Sequence, residues 1–166
     1  MNQDKVAVVT GGGTGIGAAC VRMLAASGFR VGIHYRSSAA AAEALLAEIG
    51  NGFLLSADLA DIDQVEAMME QLKGTTDRLD VLVNNAGTAQ QKLFTDLTEA
   101  DWDEMFAVHV KGTFFCCQAV LPRMIHQKAG CIVNVSSVWG LSGVSCEVHY
   151  AAAKSAVIGM TRALAR

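Results

Sequence analysis

Thr10-Gly11-Gly12-Gly13-Thr14-Gly15-Ile16-Gly17 follows a short apolar run, Val6–Val9, and opens a helical pattern over residues 16–27. A strand that enters a helix through this many glycines exposes backbone N–H groups, because no side chain blocks the approach. The positive end of the helix then favours an anion such as a pyrophosphate. The dinucleotide fingerprint G-x-G-x-x-G/A can be laid on Gly13, Gly15 and Ala18, but Gly11-x3-Gly15-x-Gly17 sits better, since it begins where the strand ends. An ordinary glycine-rich turn is the bland alternative, and the flanking strand and helix weigh against it. The candidate contacts here are Gly11, Thr14, Gly15, Ile16 and Gly17.

Outward from this turn, short β-branched or apolar runs alternate with longer helical patterns. Strands are expected at 6–10, 30–34, 53–57, 81–84 and 131–135. Helices are expected at 16–27, 39–49, 62–72, 99–127 and from 149 to 166. Gly28 follows the first helix, and Asp61 with Gln64 forms a box-like start to the third. Nearly unbroken apolar strands alternating with helices predict an α/β fold: a doubly wound parallel sheet, with ligands at the carboxyl ends of its strands.

The chain of 166 residues suits one nucleotide-binding domain over 1–166. Its last helix carries no stop signal, and the fifth strand would be left as an apolar sheet edge, so the chain is expected to continue beyond Arg166. With 52% apolar and 17% charged residues it reads as globular. A net charge of −3 offers no basic field for nucleic acid or an anionic membrane. Cys20, Cys116, Cys117, Cys131 and Cys146 show neither a CxxC pair nor zinc spacing. They read as reduced, mostly buried thiols, and no metal site is expected. The first apolar stretch is too short for a signal peptide and no segment is expected to span a membrane, which points to the cytoplasm.

The second strand ends in His34-Tyr35-Arg36-Ser37. A site for NAD(H) usually carries an acid there for the ribose 2′-hydroxyl. Here an arginine could instead meet a 2′-phosphate bidentately, so NADP(H) is preferred, with Arg36 and Ser37 as contacts. A solvated surface arginine is the alternative.

Tyr150-Ala151-Ala152-Ala153-Lys154 places a phenol and an ammonium one helical turn apart on one face. A free tyrosine titrates near ~10, and a nearby cation favours the phenolate, which would suit acid–base work at neutral pH. Alone the pair is a weak signal, since such spacings arise by chance on helix surfaces. Ser137, thirteen residues before Tyr150, ends the Val133-Asn134-Val135-Ser136-Ser137 run at the same sheet edge. Its hydroxyl could donate to a substrate oxygen, although most such serines simply begin a loop.

Taken together, these residues resemble the short-chain dehydrogenase/reductase family from Val6 to the last residue. Residues 10–17 look like its cofactor turn. Asp58-Leu59 looks like its adenine-contacting pair, and Asn84-Asn85-Ala86-Gly87 is similar to its NNAG signature lining the cofactor. The resemblance implies a Rossmann-like three-layer α/β/α fold and contacts from Asp58, Leu59, Asn85, Ala86, Gly87, Tyr150 and Lys154. It implies Tyr150 as the acid in reduction and the base in oxidation, with Ser137 steadying the substrate oxygen. Lys154 would assist the tyrosine and bind ribose.

The best subgroup match looks like the 3-oxoacyl-[acyl-carrier-protein] reductases of fatty acid biosynthesis, oxidoreductases that act on small-molecule or carrier-linked carbonyls. Trp139-Gly140 and Ser145–Val148 also resemble a branch of reductases of an aminopentanone group on elongation factor P. A short form that binds nucleotide without catalysis is a third reading.

His109 stands where the family usually has asparagine. It is either a proton-relaying catalytic group or a histidine packed in its helix. The resemblance also implies two further strands, a substrate-covering helix, and a homodimer or homotetramer built on the last two helices. Asp101-Trp102-Asp103-Glu104 is read as an exposed helix start. Met68-Met69 and Phe114-Phe115-Cys116-Cys117 are read as core or helix interface.

Overall fold

The computed structural model describes residues 5–166. Strands β1 (Val6–Val9), β2 (Arg30–Tyr35), β3 (Gly52–Ser56), β4 (Val81–Asn84) and β5 (Cys131–Asn134) form one sheet in the order β3-β2-β1-β4-β5, every neighbouring pair parallel. The order reverses between β1 and β4. The connection leaving β1 runs toward the β3 edge and the one leaving β4 toward the β5 edge, so a crevice opens at the carboxyl ends between them.

The two-residue period of β1 sorts the core. Val6 and Val8 join Leu55, Leu82 and the inner faces of α3 (Ile62–Thr75) and α5 (Thr113–Gln127). Val9 points the other way, among Val21, Val31, Ile33 and Leu45, under α1 (Gly15–Ala26) and α2 (Ala39–Ile49). Because β1 is buried on both faces, it reads as an unbroken apolar run. Helix α7 (Val148–Leu164) shares the face of α5 and is tied to β5 where Asn134 Nδ2 donates to Thr161 Oγ1 at 2.9 Å. The doubly wound parallel sheet expected from the sequence is the fold observed.

Several boundaries differ from expectation. The single helix expected over 99–127 is α4 (Glu99–Phe106), a π-helical segment (Ala107–Gly112) and α5. The π turn accompanies tertiary contacts with no local sequence mark: a Cβ on Gly112 would lie 2.7 Å from the Leu59 carbonyl oxygen. A short helix, α6 (Trp139–Ser142), occupies a stretch expected to be loop, and α7 ends at Leu164.

The Glu99–Gln127 run is long and apolar enough by composition to cross a membrane, which corrects the expectation that no segment would be. Its Met105, Val108, Cys116, Cys117, Val120 and Met124 are buried in the core. Phe114, by contrast, is exposed. Of the five thiols only Cys116 and Cys117 are buried, fewer than expected; Cys20 and Cys146 are half-buried and Cys131 is exposed.

Candidate active site

A groove of about 370 Å³ lies over the carboxyl ends of β1, β2 and β4. One wall is the turn, through Gly11, Thr14, Gly15 and Ile16. The far end is Arg36, Ser37, Asp58 and Leu59, and the opposite wall is Asn85, Ala86, Gly87 and Thr88. Of the candidate nucleotide contacts, Gly17, Tyr150 and Lys154 lie outside this lining.

Gly17 has a steric role instead. A Cβ there would stand 2.1 Å from the Gly11 carbonyl oxygen and 2.7 Å from Asn85 Nδ2, so the turn closes only over hydrogen. Asn85 braces the turn by donating from Nδ2 to the carbonyls of Thr10 and Gly11 at 3.0 and 3.2 Å. Buried Thr10 returns the favour, its Oγ1 accepting from the backbone N–H of Asn85 and Ala86 at 2.9 and 3.0 Å.

The residues fit an anionic dinucleotide on one decisive feature. The first N–H groups of α1 have no intrahelical partner. Thr14 at the N-cap makes no side-chain bond to them, and the first turn carries no acidic residue. Helix α3 shows the contrast, since Asp61 caps it by accepting from the N–H groups of Asp63 and Gln64. The α1 N-terminus therefore presents uncapped donors and its dipole to the groove.

At the far end the half-exposed guanidinium of Arg36 lies 3.7 Å from Asp58. Asp58 also accepts from the Ala60 N–H at 3.0 Å. An arginine so loosely paired is free to meet a phosphate oxygen.

Beyond Thr88 stand the residues singled out for catalysis. Tyr150 lies in the first turn of α7, with Lys154 one turn on and its Nζ 5.6 Å from the phenol ring centroid. Lys154 is buried, donates from Nζ to the Val135 carbonyl at 2.9 Å, and has its pKa lowered by that burial. Ser136 Oγ donates to the Lys154 carbonyl at 2.8 Å, tying the end of β5 to α7. The next residue, Ser137, accepts from the Trp139 N–H at 3.2 Å. Gly140 lets α6 lie directly on α7, since a Cβ would meet the Lys154 carbonyl carbon at 2.8 Å.

His109, buried in the π segment, puts its Nε2 within 2.8 Å of the Thr88 carbonyl and 3.0 Å of the Thr88 N–H. Its ring stands edge to face with Tyr150, centroids 5.4 Å apart. Burial, aided by the Lys154 charge, pushes its pKa down to about 4. The imidazole is thus neutral at physiological pH, which favours the packed reading over an ionising relay.

Sequence reasoning missed a second layer of support. His149 Nε2 lies 2.9 Å from Gln90 Oε1, and Gln90 donates to Asp101 at 2.6 Å. Asp101 also accepts from Lys92 Nζ and Thr98 Oγ1, bonds that hold its carboxyl far below the usual range. Asp101 is therefore the hub that fastens the 88–92 segment, and not only a helix-start acid. Thr10 and His34 were also missed as site residues; Thr10 opens the turn itself, while His34 stands 23 positions from Gly11 and only the strand pairing brings it there.

A family model described as short chain dehydrogenase matches residues 5–166. The 3-oxoacyl-[acyl-carrier-protein] reductase of Staphylococcus aureus is 39% identical, over all of this chain and 69% of its own. The enzyme of that name from Synechocystis is 38% identical, over 98% of this chain and 67% of its own. Among solved structures, acetoin dehydrogenase from Enterobacter cloacae superposes with a TM-score of 0.94 at 34% identity, covering 99% of this chain and 67% of that one.

Proposed function

The chain belongs to the short-chain dehydrogenase family, and from that premise we propose that it moves a hydride between NADP(H) and a carbonyl or alcohol. The proposed physiological substrate is a 3-oxoacyl thioester on acyl-carrier protein, the substrate class named in the bacterial relatives. The observation that carries the reading is the pairing of an uncapped α1 N-terminus with Tyr150 and Lys154 on one face of α7, beyond the same groove.

When bound, the nicotinamide supplies the hydride. The turn and the α1 donors hold the pyrophosphate, Asp58 and Leu59 meet the adenine, and Arg36 with Ser37 receives a 2′-phosphate. Asn85, Ala86 and Gly87 line the remainder of the nucleotide. Tyr150 gives its phenolic proton to the carbonyl oxygen as that oxygen gains negative charge, and recovers one from solvent afterwards. Ser137, whose Oγ accepts from the Trp139 N–H, donates its own proton to the same oxygen and stabilises it there. Lys154 binds the ribose and favours the charged form of the tyrosine. In oxidation the tyrosine serves as base. We take residues 1–166 as one nucleotide-binding domain of a cytoplasmic enzyme. Homodimer or homotetramer assembly would use α5 and α7, whose Phe114, Ile125 and Leu164 are exposed.

The test is NADPH oxidation with a short 3-ketoacyl thioester, run beside Tyr150→Phe. Turnover that falls by roughly 10²-fold or more in the variant, with NADPH fluorescence binding retained, supports the reading. Equal turnover in the two proteins, or binding without turnover in the parent, defeats it.

A further inference from the structure

His34 is a buried polar residue beside the nucleotide turn, 2% exposed and next to last on β2. Its Nδ1 lies 3.0 Å from the backbone nitrogen of Gly11, and its Nε2 lies 3.1 Å from the Ala57 carbonyl oxygen just past β3. Gly11 N–H can only donate and the Ala57 oxygen can only accept. Both bonds therefore require one species: neutral imidazole, bare at Nδ1 and protonated at Nε2. The imidazolium would turn a second donor against the Gly11 N–H.

The backbone of the same residue continues the hold, since the Gly12 N–H donates to the His34 carbonyl at 2.8 Å. Two successive N–H groups of the turn are thus held by one residue of the neighbouring strand. Gly11 needs such support. It sits at φ +62°, and Asn85 reaches only its carbonyl side. Burial lowers the His34 pKa, with the Ala57 carbonyl and the charge of Asp58 opposing. The neutral form that the bonds demand is the one the site favours.

We infer that His34 is a positioning residue of the nucleotide groove, a neutral imidazole clamp that joins the Gly11 N–H to the end of β3 and so holds the turn in its binding shape before nucleotide arrives. The inference rests on the proposal that this groove takes a dinucleotide. A preformed turn lowers the ordering cost of binding, so the effect belongs to nucleotide affinity and not to the chemical step.

The experiment compares His34→Leu, which removes both ring bonds, with His34→Asn, whose amide oxygen can stand near the Nδ1 position and accept from Gly11. NADPH dissociation constants come from fluorescence, with circular dichroism reporting folding. The expected result is NADPH binding about tenfold weaker in His34→Leu and mostly restored in His34→Asn, with the loss seen in Kd and KM and not in kcat at saturation. Wild-type affinity in His34→Leu, or equal loss in the two variants, overturns the clamp.

Because binding is read without turnover, a parent that binds NADPH yet reduces no thioester defeats the proposed reaction and leaves this comparison standing. For a parent that binds no NADPH, 15N NMR of the free protein decides. An Nδ1 without a proton, and a Gly11 amide protected from exchange in wild type and His34→Asn but not in His34→Leu, supports the clamp. Protection unchanged in His34→Leu overturns it.

Discussion

His109 meets Tyr150 ring against ring, with centroids 5.4 Å apart and planes at 89°, while its Nε2 holds the backbone of Thr88. One buried side chain thus links the phenol on α7 to the wall of the groove. The arrangement favours a neutral imidazole, whose Nδ1 is buried with no hydrogen-bond partner among the described residues. An imidazolium would add a charge to a site that already contains Lys154.

Acid should therefore destabilise the fold through His109. In the unfolded chain the ring takes a proton near pH 6.5, and in the fold only near about 4. Between those values the unfolded state binds more protons, so stability rises with pH across the window and is flat for this group outside it. The full effect is roughly 3 kcal/mol. His34, also lowered by burial, adds a slope of the same sign. Urea unfolding from pH 4 to 8 should show the rise in wild type and a shallower one in His109→Gln. Parallel curves would count against the assignment.

His109 leaves Gly87 no room for a side chain. A Cβ there would come within 2.3 Å of the His109 Cε1 atom, and that ring is buried and tethered. Gly87→Ala should cost about 1–3 kcal/mol by overpacking. The cost should shrink when His109 is also replaced by Asn, and a double-mutant cycle by chemical denaturation measures this coupling. Additive losses would mean that the alanine strains something else.

Gly17→Ala is expected to be worse for nucleotide than for folding. Its methyl would drive into the Gly11 carbonyl oxygen and Asn85 Nδ2, the two groups that shape the turn. The backbone must open to admit it. NADPH binding should fall by about 10²-fold or more, while the melting temperature drops only a few degrees, on the order of 1–2 kcal/mol. Calorimetric titration beside a thermal melt separates the two losses.

Arg36 decides between nucleotides if the proposed cofactor is right. Its ion pair with Asp58, long and half-exposed, contributes little to stability. Arg36→Gln should leave the melt unchanged and weaken NADPH about tenfold, with NADH within about twofold. Added salt should erode the wild-type preference for NADPH, because the contact is solvent-exposed. Equal losses for both nucleotides would remove Arg36 from the 2′-phosphate site.

The glycine turn, the strand–helix alternation and the Tyr150–Lys154 spacing were readable because each is local. Glycines admit close backbone approach, apolar runs mark strands buried on both faces, and residues four apart share a helix face. Arg36 could be placed in the groove because parallel strands align their carboxyl ends, whereas Asp58 and Asn85 were named only through the family resemblance. The π segment, the His34 clamp and the Asp101 hub were not readable. Each joins residues distant in sequence: His34 to Gly11 across 23 positions, His149 to Gln90 across 59.

The sequence by itself determined that a parallel sheet would bring a glycine turn and an arginine to one edge and that Tyr150 and Lys154 would share a helix face, since periodicity and backbone sterics suffice for that. Only the tertiary structure decided which buried polar groups hold those parts in place. Hydrogen-bond partners of buried histidines and carboxylates are set by how the elements pack, and burial then selects the protonation state in which each can serve.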